Sequence, residues 1–174
     1  LNLADLHHVL QAAFGWRDEH LHEFIIGGPI YGAPELAEDT ATEDEPRTFE
    51  ATLVHLRDFN VYHVPQPEFL YHYDFGDSWL HRVAFEQRIA KDIARKYPAC
   101  VDGARHCPPE DVGGPSGYAE FLEAWSDPAH EEHKAMRQWA GRTFHPEKFD
   151  LQATDKAVKT ACRRARGDYV FRRQ

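Results

Sequence analysis

The chain opens on a helical pattern. Leu3, Leu6, Leu10, Ala13 and Phe14 recur at three- and four-residue spacing, the period that lines one face of an α-helix. Asn2 stands at the N-cap position, Asp5 three residues on makes an imperfect capping box, and Gly15 stops the pattern. Residues 19–26 alternate polar and apolar well enough for a strand. Gly27 and Gly28 then turn the chain toward a short second strand around Ile30 and Tyr31. Residues 33–47 have no period and many acids, which predicts a mobile surface loop. Residues 49–56 stay open between a strand and a short helix.

Past Pro65 and Pro67 comes the clearest hairpin. Phe69, Tyr71, Tyr73 and Phe75 place aromatic rings at every second position, and Trp79, His81, Val83 and Phe85 answer them in residues 79–87. The two faces coincide if Gly76, Asp77 and Ser78 form a three-residue loop, which sets Tyr73 opposite His81 and turns His72 and Asp74 to the other face. Residues 98–115 hold four prolines and three glycines, so they predict an irregular loop. Helices are expected at about residues 118–125, after Asp127 and Pro128 as far as Gly141, and from an Asp150 cap to about Arg166. A short terminal strand is expected at 169–171. Helices at both ends of a hairpin-rich middle predict an α+β fold, an antiparallel sheet packed with about four helices.

Composition narrows the class. The 174 residues are 42% hydrophobic and 28% charged, which suits one domain over 1–174 that buries enough surface to need no staples. No apolar run approaches the roughly 18 residues of a membrane span, and no signal-peptide pattern is present, so a cytoplasmic protein without membrane contact is expected. The first residue is Leu and enters a helix almost at once, so a preceding segment is expected. The three cysteines, Cys100, Cys107 and Cys162, read as reduced thiols, not a disulfide framework. A net charge of −9, from 20 basic against 29 acidic side chains, argues against nucleic acid as a partner. The exception is the C-terminus, where Lys156, Lys159, Arg163, Arg164, Arg166, Arg172 and Arg173 form a basic helix. That helix is either a contact for an acidic partner or a solvated face.

Four clusters carry candidate chemistry. His20 and His22 lie two apart on a strand, so both imidazoles point the same way and can reach one metal ion. Cys100 and Cys107 in the proline-rich loop would complete a tetrahedral zinc set with them, although the spacing differs from a CxxC knuckle and packed thiols explain it equally. Asp74 and Asp77 with His81 supply the carboxylate and imidazole of a general base or metal site, or else a turn aspartate and a core histidine. Glu110 and Asp111 beside Gly113 and Gly114 shape a loop or join that site. There is no GxSxG elbow, P-loop or GxGxxG. The serines, Ser78, Ser116 and Ser126, do not cluster with arginines as a recombinase nucleophile requires.

These motifs carry a resemblance. Leu6-His-His-Val-Leu-Gln-Ala-Ala-Phe-Gly-Trp16, His20-Leu-His-Glu-Phe24, Tyr71-His-Tyr-Asp-Phe-Gly-Asp-Ser-Trp79 and the run from Cys100 to Tyr118 occur in this order. Together with Phe144-His-Pro-Glu-Lys-Phe-Asp150 they closely resemble the plasmid pRiA ORF-3-like family, also met as "TnpR" passenger proteins of insertion elements. The match reaches about Asp150 and leaves the basic C-terminal helix after it. The resemblance implies a small α+β protein of a mobile element, without an established activity. It also implies a strand pair before the first helix, a β-grasp-like start that this chain lacks, and a cysteine where Val112 stands. The leading expectation is a non-catalytic accessory or binding domain with a structural zinc site. The rivals are a metal-dependent hydrolase or nuclease using Asp74, Asp77 and His81 with His20 and His22, and an interaction module using the C-terminal helix.

Overall fold

A computed structural model describes residues 1–33, 36, 47–59 and 68–171, of which 162–171 are described by backbone alone. Most of the expected acidic loop, both prolines before the hairpin, and the side chains of Cys162 and the arginines after it lie outside the described residues.

Helix α1, Leu3–Phe14, begins and ends where its caps demand. The Asn2 side chain accepts from the Asp5 amide at 2.7 Å, the Asp5 carboxylate accepts from the Asn2 amide at 3.4 Å, and Gly15 closes the helix at φ 87°. These bonds satisfy backbone groups that a helix end otherwise leaves unpaired.

The sheet has five strands in the order β3-β2-β1-β4-β5. They are β1 His22–Ile25, β2 Ile30–Gly32, β3 Thr48–Glu50, β4 Glu68–Tyr73 and β5 Trp79–Ala84. Only β2 and β3 pair in parallel; every other neighbour is antiparallel. The stretch left open at 49–56 is divided, with β3 running into a 3₁₀ turn at Ala51–Leu53.

The hairpin departs from expectation in its turn. Tyr71 pairs with His81 and Tyr73 with Trp79, so Asp74 to Ser78 form the connection and the register is shifted by two from a Tyr73–His81 pairing. A shift of two preserves the faces, because side chains alternate with period two. Asp74 causes it: at φ 57° it leaves the strand, and its Oδ1 accepts from the amides of Gly76 (3.0 Å) and Asp77 (3.2 Å). An aspartate able to adopt the left-handed conformation and bond its own turn starts that turn two residues early.

Of the remaining helices, α2 spans Gly114–Ser126 and α3 His133–Trp139. Helix α2 starts earlier than its apolar pattern because Pro115 occupies its first turn. Helix α3 starts later than Pro128 suggested, because the Asp127 carboxylate bonds the Ala129 amide at 2.9 Å and makes a turn first. Helix α4, Leu151–Phe171, is capped by Asp150, whose Oδ1 accepts from the Ala153 amide at 3.0 Å. It continues through residues 169–171, where a strand was expected. Extending an existing helix gains a backbone bond per residue fixed, and a three-residue strand signal offers nothing to outweigh that. Among the described residues there are thus four α-helices and one open, mostly antiparallel sheet, an α+β fold.

Leu3 of α1, Phe24 of β1 and Tyr71 and Tyr73 of β4 are fully buried and form the core, with Trp16 and Ala51 beside them. Fully burying Leu3 and Phe24 contributes about 1.5–3 kcal/mol each. Helix α4 packs along α1. No described helix is long and apolar enough to cross a membrane.

Candidate metal centre

Three segments converge beyond the ends of β1 and β4. His20 precedes β1, Asp74 follows β4, and Glu110 and Asp111 come from the proline-rich loop that leads into α2. The His20 Nε2 atom lies 3.1 Å from Asp111 Oδ1, 3.5 Å from Asp74 Oδ2 and 4.0 Å from Glu110 Oε2. That nitrogen is buried and makes no hydrogen bond. Asp74 and Glu110 are themselves buried, whereas Asp111 is 67% exposed and opens the cluster to solvent.

Local structure explains how the carboxylates reach this point. Asp74 and Asp111 both sit at φ 57°, and each turns its segment sharply enough to aim a side chain back toward His20. One oxygen of Asp74 is committed to its own turn, which leaves Oδ2 facing the imidazole. Glu110 Oε1 accepts from the Arg17 amide at 2.9 Å and from the Tyr73 hydroxyl at 3.2 Å. Burial raises the Tyr73 phenol far above its usual value, and the Glu110 charge adds to this, so the hydroxyl stays a donor. Asp77 does not join the cluster; its Oδ2 accepts from the Gly113 amide at 3.0 Å and ties the hairpin turn to the loop. One imidazole and two or three carboxylate oxygens make a donor set for divalent first-row cations such as zinc or manganese.

A second, drier network lies under α1. His7 Nε2 is 2.6 Å from Asp18 Oδ1 and His7 Nδ1 is 2.8 Å from the Tyr71 hydroxyl. That hydroxyl also accepts from Gln11 Nε2 at 3.0 Å, and Gln11 Oε1 accepts from the Asp18 amide at 3.0 Å, which closes the ring. Burial by itself would raise the Asp18 carboxyl, but the bond and charge of His7, helped by His8 and His22, hold it below its usual range. His22 stacks on His7 with ring centroids 3.4 Å apart and planes 5° from parallel. Desolvation, followed by the charge of His7, lowers the His22 pKa to about 3.

The four residues expected to share a zinc ion are not brought together. His20 enters the carboxylate cluster while His22 enters the stacked pair. Among the described residues the compact ligand groups are His20, Asp74 and Asp111, and His7, His8 and Asp18; neither contains a cysteine. The Cys100 thiol donates to the Asp102 carbonyl at 3.4 Å. Cys107 packs against the core, where burial pushes its thiol well above the usual range and the Glu110 charge adds to the effect. His81 is also apart. Its Nδ1 is 3.2 Å from the Tyr71 carbonyl, its ring lies among Phe14 and Trp16, and burial lowers its pKa. A groove of about 920 Å³ between Phe14, Trp16, Trp79 and Phe149 has His81 and Cys107 in its wall.

Sequence reasoning missed His7, Gln11, Asp18 and Tyr71 as a polar network. The available signal was Leu3, His7 and Gln11 at spacing four, a stripe that is buried along its length.

Fold and site together define a small α+β protein with a histidine–carboxylate cluster where a hairpin, a strand start and a proline-rich loop meet. The chain belongs to the family described as plasmid pRiA4b ORF-3-like protein, which it matches over residues 1–153. It is 42% identical over 141 residues to the uncharacterized protein y4hQ of Sinorhizobium fredii (strain NBRC 101917 / NGR234), covering 81% of this chain and 69% of that one. It is also similar to the crystal structure of a protein of unknown function, MM3350, from Methanosarcina mazei Go1. There the TM-score is 0.74 at 34% identity, over 87% of this chain and 81% of the other.

Proposed function

We propose that this chain is a non-catalytic accessory domain that binds one divalent cation, held by His20, Asp74 and Asp111 with Glu110 beside them. The observation that carries the reading is the His20 Nε2 atom, buried without a hydrogen bond while facing carboxylate oxygens from three residues. A buried polar atom left unpaired is unfavourable, and so is gathering carboxylates around it. A cation between them satisfies the imidazole lone pair and neutralises the acids in one step. The plasmid origin in the family description supports an accessory protein carried with a mobile element.

A hydrolytic reading has less support. Of the five residues it requires, His20 and Asp74 share the cluster, whereas Asp77 caps the loop, His81 lies in the aromatic wall and His22 stacks on His7.

The test uses protein prepared without a histidine tag, with metal content measured after dialysis and zinc and manganese titrated by calorimetry. We expect about one cation per chain, with binding abolished in Asp74→Asn and His20→Ala. Wild-type protein that stays metal-free across that titration sinks the reading.

A further inference from the structure

We propose that the cation works as a clamp, fastening the proline-rich loop at Pro108–Gly113 to the hairpin turn and to the α1–β1 connection, so that cation level sets whether the loop is docked. This rests on the cation site proposed above. The donors do not come from one continuous segment. His20 and Asp74 belong to the sheet end, while Glu110 and Asp111 arrive with the loop.

The docked loop is tied to the rest of the chain by hydrogen bonds from four residues, Trp16, Arg17, Tyr73 and Asp77. The Trp16 indole donates to the Pro108 carbonyl at 3.1 Å, the Arg17 amide and the Tyr73 hydroxyl donate to Glu110 Oε1 at 2.9 Å and 3.2 Å, and the Gly113 amide donates to Asp77 Oδ2 at 3.0 Å. Against these stands the mutual repulsion of Asp74, Glu110 and Asp111, concentrated at a site where two of the three are buried. Repulsion between like charges grows as water is excluded. With the cation in place the sign reverses, and the same carboxylates pull the loop inward. Binding and docking are then linked, so each must strengthen the other by the same factor.

The arrangement supplies its own reporters. The Arg17 and Gly113 amides bond across the loop junction and not within a helix or strand, so their hydrogen exchange follows docking. Amides in the middle of α1, such as that of Leu10, lie in a capped helix and serve as the internal reference.

Calorimetry with zinc and manganese comes first, on the full chain, and establishes whether a cation binds. Residue-resolved hydrogen exchange is then compared with the cation and with EDTA. The clamp predicts exchange at Arg17 and Gly113 slower by about tenfold or more with cation, and unchanged exchange at Leu10. It further predicts that Asp77→Ala, which removes the Gly113 tie and leaves every cation ligand in place, weakens cation affinity several-fold. A cation that binds while Arg17 and Gly113 exchange as before overturns the clamp and leaves the site standing. So does an Asp77→Ala affinity equal to wild type in a folded variant. Absence of binding overturns both.

Discussion

Gly114 packs its backbone against the carbonyl of Asp77 so closely that an added Cβ would collide with it. The residue also sits at φ 68°, in the left-handed region. This single contact joins the start of α2 to the hairpin turn, next to the Asp77–Gly113 bond that holds the loop. Gly114→Ala meets both obstacles, steric and conformational. We expect a loss of about 2 kcal/mol, a melting temperature lower by about 4–8 °C for a chain of this size, and weaker cation binding. Gly141 also has positive φ but open space around it. Gly141→Ala therefore serves as the control for conformational strain without collision, and calorimetric melting of both variants separates the two effects.

The Tyr71 hydroxyl lies between His7 and Gln11 in a fully buried position. Tyr71→Phe keeps the ring and strands two polar partners without access to water. Leaving buried groups unpaired is expected to reduce stability by about 1–3 kcal/mol, measured as a shift of the urea midpoint. If the midpoint does not move, His7 and Gln11 have found other partners and the closed ring has no energetic weight.

Stability should fall in mild acid. The His22 pKa is lowered from 6.5 to about 3, and His81 is lowered as well, both chiefly by burial. The unfolded chain therefore binds these protons before the folded one does. The His22 contribution is complete above pH 6.5 and is lost as pH falls toward 3, at about 1.4 kcal/mol per unit where the group is fully in its window, and His81 acts in the same direction. The lowered Asp18 carboxyl works in the same direction, but its loss begins lower, near its ordinary value of 3.8. Urea unfolding between pH 7 and 4.5 isolates the histidines. His22→Phe is expected to flatten that slope, and an unchanged slope would mean that His22 is protonated in the native state.

Cation binding should be indifferent to the thiols. Cys100 and Cys107 stand outside both compact ligand groups, so Cys100→Ser should leave bound metal unchanged and shift stability by less than about 0.5 kcal/mol. Saturating cation should raise wild-type stability, by about 2.7 kcal/mol at a hundredfold excess over the dissociation constant, and EDTA should reverse it. Loss of the cation in Cys100→Ser would restore a cysteine-ligated site and count against the carboxylate cluster.

Much of the fold was legible because its signals are local. Asn2, Asp5 and Gly15 bound α1 through bonds that reach no more than four residues, and the aromatic alternation of β4 fixed which face is buried. Where expectation failed, a short polar side chain had overridden the hydrophobic pattern. Asp74 moved the turn by two residues, and Asp127 delayed α3.

The site was less legible for a different reason. The sequence by itself determined the family, the α+β class and the residues rich in chemistry, since these follow from order, period and local bonding. It also put His20 and His22 on the same side of one strand, where they look like partners. Only the tertiary structure decided that His20 turns to the carboxylates and His22 to His7. Their neighbours come from elements 50 or more residues away and from α1, and no spacing rule reaches across that separation. The ligand set depends on where a loop docks, and docking is settled by burial and charge in three dimensions.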